Sequence, residues 1–386
     1  TSGTAIFLPF RSCEVFQPGG LYYGLNAQTK HIILADRKTL KCPNGIVLGT
    51  PGSGKSFFAK REMANAFFAT PDHILILDAE NEYTALTEQL HGQTIYLAPD
   101  SQSYLNPMDL DLSTDVGESP MLMQADFLLS QCELMMASYG NPLMPIEKSL
   151  IDRCISLVYR DYLKNPRPEN MPILGDLYQC LREQHNSRAD DLATAMEIYV
   201  TGSLSYLNHR TNVDLNNRMV CYNISKLGQG LKKLVMSNVQ KHIWQRTAVN
   251  RYAGITTRIF LDEFHLLLKE PQTAAYTAEI YKRFRKWNGI PTSLTQNVKD
   301  LLDSSEIENI LENSDFVLML NQGASDRNIL AQRLGISPQE LSHVTNSSEG
   351  EGLLFFGDKI IPFEDKFPRD TQLYRVMTTK PSDLAA

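Results

Sequence analysis

The 386-residue chain has no Cys-x-x-Cys pair, no apolar run near the length a bilayer requires, and no Lys or Arg between Glu62 and Glu147. The six cysteines (Cys13, Cys42, Cys132, Cys154, Cys180 and Cys221) are scattered, which argues against a zinc site and against a disulfide framework. They read as small buried hydrophobes in a reducing compartment. A membrane-spanning helix needs roughly 20 apolar residues, and no such run is present. Ala5 to Phe10 is too short for a signal peptide and lacks its basic flank. Internal repeats and low-complexity segments are also missing. Thr1, not Met, opens the chain, so the expectation is a fragment whose anchoring part lies elsewhere.

What charge there is lies unevenly. Glu62 to Glu147 holds 14 acids and no base, whereas Leu215 to Leu261 holds eight bases and no acid, within a net charge of −7. Such surfaces often serve solubility alone. The same segregation suits head-to-tail packing of identical subunits or a basic lining for nucleic acid. The acidic total favours packing.

The content, 42% hydrophobic and 21% charged, is that of an ordinary globular protein. The length exceeds one usual core, so an insertion or a second domain is expected. Residues 1–45 form an extended, β-rich lead-in, with His31 to Leu34 as its clearest strand. His73 to Asp78 is a continuous apolar run ending in an acid, as in strands buried on both faces of a parallel sheet. Thr94 to Leu97 is a further strand. From 108 to 215 the pattern turns helical: Met121, Ala125, Leu128, Cys132, Met135 and Tyr139 line one helix face. Leu150 to Val158, Leu174 to Leu181 and Leu192 to Tyr199 follow as further helices. Five methionines between Met121 and Met144 read as core filler before binding surface. Strand–helix alternation then resumes at Met219 to Ile224, with a helix over Leu231 to Val249 and a buried strand from Arg258. A helix from Thr273 to Trp287, a strand from Pro291 to Gln296, a helical stretch from Val298 to about Leu311 and a strand from Phe316 to Leu320 continue it. A helix around Asn328 to Leu334 and a ribbon over Leu353 to Phe363 close the chain. The expected class is α/β, a mainly parallel sheet flanked by helices, with segments 1–107 and 216–386 interrupted by an all-α insertion at 108–215.

The most specific stretch is Gly49-Thr50-Pro51-Gly52-Ser53-Gly54-Lys55-Ser56-Phe57. A short apolar run precedes it and a helix follows. Gly49, Gly54, Lys55 and Ser56 fit G-x-x-x-x-G-K-[ST], the Walker A phosphate loop. Its glycines let backbone N–H groups turn inward around a phosphate chain, and the helix aims its positive end at the same anion. Lys55 then reaches the β- and γ-phosphates, and the Ser56 hydroxyl ligates magnesium.

Asp262-Glu263 ends an apolar strand and is the second signal, since ligands gather at the carboxyl ends of parallel strands. In this reading Asp262 joins Ser56 in holding Mg2+, and Glu263 polarises the attacking water. Gln296, at the end of the next strand, senses the γ-phosphate, holds that water, or only satisfies local backbone. Asp78 and Glu82 assist the magnesium or cap the next helix. The basic run Lys282 to Lys286 has three readings: a dipole-stabilised helix end, a DNA contact, or an arginine finger for a neighbouring subunit's nucleotide. His265 lacks a partner at metalloprotease spacing, so an ordinary hydrogen-bonded histidine is expected.

With these residues in place, the chain resembles the type IV secretion ATPases of the conjugation type. These are the large ATPases of the VirB-like systems, within the FtsK/HerA branch of RecA-like motors. The resemblance rests on Tyr23 to Asn26, Asp36-Arg37, Gly49 to Phe57, Asp78 to Tyr83, Leu105 to Asp109, Asp262-Glu263, Arg285 to Gly289 and Gln296. It covers most of the chain apart from the helical block. It implies a RecA-like motor domain with an inserted all-α subdomain, hydrolysing ATP with Mg2+ in hexamers or another oligomer. The implied work is pilus assembly or substrate transfer at the inner membrane, beside secretion-system components. Arg285 falls in the family's Arg-Lys-x-Asn-Gly motif and becomes the expected trans arginine, with Arg283 in reserve, and Gln296 falls in its glutamine motif. Full-length members carry an N-terminal docking domain, whereas this chain begins close to the motor. Two other functions compete: a DNA-translocating coupling protein or helicase-like motor, suggested by the basic stretch from Arg218 to Arg258, and an assembly scaffold switched by ATP binding.

Overall fold

The computed structural model describes residues 14–112, 119–137, 143–268, 271–296, 310–311, 313–345, 347–380 and 383. The strands are β1 (Leu21–Asn26), β2 (Ile32–Ala35), β3 (Gly45–Leu48), β4 (His73–Asp78), β5 (Gln93–Tyr96), β6 (Met219–Asn223), β7 (Thr257–Leu261), β8 (Gly289–Thr295), β9 (Phe316–Met319), β10 (Glu351–Phe356) and β11 (Lys359–Glu364). The helices are α1 (Lys55–Ala69), α2 (Thr84–Gln89), α3 (Pro120–Ala137), α4 (Pro145–Val158), α5 (Arg160–Lys164), α6 (Leu174–Arg182), α7 (Ser187–Val200), α8 (Gln229–Tyr252), α9 (Pro271–Phe284), α10 (Ala324–Leu334), α11 (Pro338–Leu341) and α12 (Gln372–Met377).

All strands join one sheet in the order β2-β1-β11-β10-β9-β3-β8-β7-β4-β6-β5. From β9 to β5 every pairing is parallel. Every residue of β3, β6, β7 and β8 is buried, as expected of strands covered on both faces, the polar Thr257, Arg258, Thr292, Ser293 and Thr295 included. The lead-in β1–β2 and the ribbon β10–β11 add an antiparallel wing on the β9 side. Sequence reading identifies these strands but not that they extend the same sheet.

Alternation along the strands splits the core in two. Val47, Ile74, Ile76 and Phe260 pack with α1 and α2 on one face. Ile46, Leu48, Leu75, Leu77, Ile259 and Leu261 pack on the other with α8 and the helices between β5 and β6. Leu128, Cys132, Met135 and Met136 of α3 are buried there, Met121 and Met123 are half-buried against the same core, and Met144 is 53% exposed, so the core reading holds for the helix but not for the fifth methionine. Of the cysteines among the described residues, Cys42, Cys132, Cys154 and Cys221 are buried, Cys180 is half-buried, and all are free.

Between β5 and β6 the described residues contribute helices and connections, and Leu105 to Leu110 ties them to α8. Asn238 and Lys241 of α8 donate to the carbonyls of Leu105 (2.9 Å), Pro107 (2.9 Å) and Asp109 (2.6 Å). Gln124 and Tyr162 hold Pro107 and Leu110 from the other side at 3.0 Å each.

Three expectations are adjusted. The helix expected over Thr273 to Trp287 is α9 followed by a 3-10 turn, Arg285–Trp287, because Asn288 takes a left-handed φ of 61°. Helix α2 was expected only as the unbounded helix after Glu82, and α12 was not anticipated; both are six residues long, too short for periodicity to register. The helix expected from Val298 to Leu311 lies almost wholly outside the described residues, as does Tyr139.

Candidate nucleotide site

Register brings the predicted residues together. Leu48 of β3 pairs with Thr295 of β8, and Leu261 of β7 pairs with Ser293 of β8. The loop after β3, Gln296 after β8 and Asp262-Glu263 after β7 therefore leave one edge of three adjacent parallel strands. They border a cavity of about 740 Å3.

The phosphate loop is closed by its own backbone: Ser53 N–H bonds Thr50 O at 3.2 Å, and Thr50 N–H bonds Asn321 O at 2.9 Å beyond β9. Gly52 and Gly54 stand at φ of 75° and 99°, where side chains are strained. A Cβ on Gly49 would meet Ser53 Oγ at 2.4 Å. Gly54 caps α1, leaving the first N–H groups of that helix facing the loop. Lys55 Nζ donates to Gly49 O (2.8 Å) and Thr50 O (3.1 Å). Burial lowers its pKa, against the opposing pull of Glu263, Asp262 and Glu82.

Opposite stands a crowd of carboxylates. Asp262 is 6% exposed; burial first, then Glu82, Asp78 and Glu263, push its carboxyl well above the usual range. Glu82 also borders the cavity, and its Oε2 is buried without a hydrogen-bond partner, as is Ser53 Oγ. Asp78 behaves differently: its carboxylate accepts N–H groups of Glu80 (3.3 Å), Glu82 (3.0 Å) and Tyr83 (3.0 Å). These N–H groups all precede α2, whose N-cap Tyr83 has no side-chain cap bond, so Asp78 shapes the turn presenting Glu82. Buried acids short of positive charge, with unsatisfied oxygens beside a loop of free N–H groups, form a donor set suited to a divalent ion with phosphate. No cluster of three or more metal-ligating side chains is found among the described residues; oxygen atoms of phosphate and water would complete such a shell.

Glu263 is held by a hydrogen bond at one oxygen, on a backbone of φ 45°. Gln296 Nε2 donates to Oε1 at 2.9 Å. His265 Nδ1 lies 3.1 Å from Oε2, in ion-pair range but without hydrogen-bond alignment. Burial alone would raise the carboxyl's pKa; His265, Lys55 and Gln296 outweigh it and hold it below the ordinary value. His265 is therefore Glu263's neighbour, which its two-residue spacing past Glu263 hinted at and chemistry-by-motif overlooked. Tyr83 was likewise missed as a site residue. Its buried hydroxyl lies against Ser56 and 3.5 Å from Asp262 Oδ1, the outer limit of a hydrogen bond.

The arginines are elsewhere. Arg285 precedes β8 and donates to Cys42 Sγ at 3.2 Å, at the amino edge of the strands. A seven-residue strand separates it from the phosphate loop by about 20 Å, so it does not reach its own site. Arg283 Nε pairs with Glu279 at 2.5 Å, with its guanidinium 5.6 Å from the Trp244 ring. The far wall of the cavity comes from the chain's end, including Asp365, Phe367, Tyr374 and Thr378 to Lys380, residues no motif marked.

The fold is similar to that of VirB4 of Thermoanaerobacter pseudethanolicus, at TM-score 0.82 and 22% identity over 96% of this chain and 99% of that one. It is also similar to the plasmid coupling protein TrwB in complex with ADP and Mg2+, at TM-score 0.54 and 12% identity over 89% and 90% of the two chains. A second TrwB structure, with the GTP analogue GDPNP, matches at TM-score 0.54 and 14% identity over 86% of this chain and 88% of that one. No curated protein matches the chain. The sequence pattern of the TraG P-loop domain matches residues 32–349. The chain thus belongs to the TraG P-loop domain family.

Proposed function

We propose that the chain is the ATP-hydrolysing motor of a type IV secretion or conjugation system, energising pilus assembly or substrate transfer. One observation carries this reading: the phosphate loop, Asp262, Glu263 and Gln296 border a single cavity at the ends of adjacent strands. A cradle for phosphate, a set of acids for a metal and a positioned base are the parts that phosphoryl transfer to water requires.

In this mechanism the N–H groups of Gly52, Gly54, Lys55 and Ser56 and the Lys55 ammonium hold the β- and γ-phosphates. Ser56 and Asp262 would hold Mg2+, with Glu82 near and the Tyr83 hydroxyl against both. Bound there, Mg2+ would neutralise charge that develops on the phosphate oxygens. Glu263, ionised and held by Gln296 and His265, takes a proton from the water that attacks the γ-phosphorus as the bond to the β–γ bridging oxygen breaks. Arg285, remote from its own loop, is assigned to a neighbouring copy's nucleotide, with Arg283 in reserve; this makes the working form an oligomer, a hexamer in the simplest case. Residues 108–215 form an inserted subdomain, and the motor works with secretion components at the cytoplasmic side of the inner membrane. No helix among the described residues is long and apolar enough to cross a membrane.

The DNA-translocating alternative drew on the basic stretch, and much of that charge is engaged internally. Arg218 bonds the carbonyls of Phe67 and Asp72, Lys241 those of Pro107 and Asp109, and Arg246 bonds Asn216. Arg258 pairs with Glu62 and Asp72. Glu263 speaks against the pure scaffold, since a binding switch has no use for a positioned base. The deciding experiment is Mg2+-dependent ATP turnover by the purified protein, with and without DNA. Turnover indifferent to DNA supports the proposal; salt-sensitive DNA binding with DNA-stimulated turnover transfers the case to the translocase.

A further inference from the structure

Helix α1 grips the end of the chain with one face. Phe57, Lys60 and Arg61 stand at i, i+3 and i+4, hence side by side. The Phe57 ring contacts Phe367 (centroids 5.8 Å apart) and Tyr374 (5.5 Å), and Phe367 stacks on Tyr374 at 6.4 Å. Lys60 Nζ donates to Met377 O at 3.0 Å. The Arg61 guanidinium is sandwiched between Tyr22 (4.7 Å) and Phe367 (4.6 Å), and forms an ion pair with Asp365 at 2.8 Å, though without hydrogen-bond alignment. Phe367 is thus fixed from behind by a cation and from the side by Phe57.

These rings open onto the same cavity as the phosphate loop. Phe57 follows Ser56 directly, so its ring begins where the phosphate cradle ends. A nucleotide seated with its terminal phosphates toward Lys55 and Glu263 extends its base in the other direction. Phe57, next to Ser56 in the chain, and the rings it touches, Phe367 and Tyr374, line this same cavity together with Thr378 and Thr379. The rings already touch one another, so a base lies across them and not between them.

We propose that Phe57, Phe367 and Tyr374 form the platform for the nucleotide's purine base, making the chain's C-terminal segment half of the nucleotide site. This rests on the phosphate-loop reading above. Base–aromatic stacking tolerates many bases because each has a π face, so affinity comes from the platform and position from the phosphates. A two-ring purine covers more of it than a pyrimidine does.

Calorimetric titration of the whole chain with Mg2+-ADP and with Mg2+-pyrophosphate separates the two ends of the site. Phe367→Ala is expected to weaken ADP roughly 5- to 150-fold while leaving pyrophosphate unchanged. Phe367→Leu keeps apolar bulk against Arg61 and loses only the aromatic face, and it should show the same asymmetry with an unaltered thermal melt. Unchanged ADP affinity in both variants, or equal weakening of ADP and pyrophosphate, overturns the platform. A wild-type chain that binds neither probe overturns the phosphate-loop reading itself.

Discussion

Gln296 Nε2 donates a 2.9 Å hydrogen bond to Glu263 Oε1, joining the carboxyl ends of two adjacent parallel strands. The amide thereby fixes one oxygen of the proposed base and leaves the carboxylate aimed by its other. Glu263→Gln should keep ATP binding and lose turnover by about 10²- to 10⁴-fold. Gln296→Ala should lower kcat less and leave KM near wild type. Steady-state ATPase kinetics with parallel nucleotide-binding measurements check both, and undiminished hydrolysis by Glu263→Gln removes Glu263 from the mechanism.

His265 helps to hold the Glu263 carboxyl below its ordinary pKa. Removing that attraction raises the pKa, and Glu263 must be ionised to accept a proton. His265→Ala should therefore move the acid limb of the kcat/KM profile to higher pH, with the alkaline limb unmoved. An unshifted acid limb assigns His265 to packing alone.

Arg285 lies at the amino edge of its own sheet, beside Cys42. If it serves a neighbour, Arg285→Ala abolishes turnover, by about 10³- to 10⁵-fold for an arginine finger, with ATP affinity largely kept. Mixing inactive Arg285→Ala and Glu263→Gln chains should then restore part of the activity, because some interfaces join an intact Glu263 to an intact Arg285. Full activity of the single variant shows that the loop works alone.

Glu62 Oε1 accepts from Arg37 Nη1 (2.9 Å), Arg258 Nη1 (3.1 Å) and Tyr23 OH (3.0 Å), in a pocket where the carboxylate is 1% exposed. Glu62→Ala leaves two buried guanidinium groups short of an acid. Breaking such a network by removing one partner costs about 3–5 kcal/mol, measurable by urea unfolding. A loss below about 1 kcal/mol means water compensates the arginines.

Burial holds Lys241 down to a pKa of about 7, whereas an unfolded-chain lysine titrates near ~10.4. Between these values the unfolded state carries the extra proton, so this residue's contribution to stability rises with pH from about 7 to ~10. Unfolding free energy at pH 9.5 (about two units above a pH 7.5 reference) should exceed that at pH 7.5 in the wild type, and the gain should shrink in Lys241→Met. The same pH slope in both proteins means that another group carries it.

By itself, the sequence determined the local chemistry. Glycines at positions of positive φ, a Lys-Ser at the start of a helix and an Asp-Glu at the end of a buried strand are short-range patterns, set by backbone sterics and burial on both faces, and each stands where expected. The α/β alternation and the buried methionine face of α3 were legible for the same reason: periodicity is a property of neighbouring residues. Relationships between distant segments were not. Strand order set β8 between β3 and β7, and so joined Gln296 to Glu263. Pairing in three dimensions extended the sheet with β10, β11, β1 and β2, and engaged Arg218, Lys241, Arg246 and Arg258 of the basic stretch with carbonyls and acids, burying Lys241 and Arg258. Folding also brought Phe367 and Tyr374 against Phe57, more than three hundred residues away in sequence. Contacts of this range carry no periodic or motif signal, because they depend on which surfaces remain to be covered once the sheet has formed.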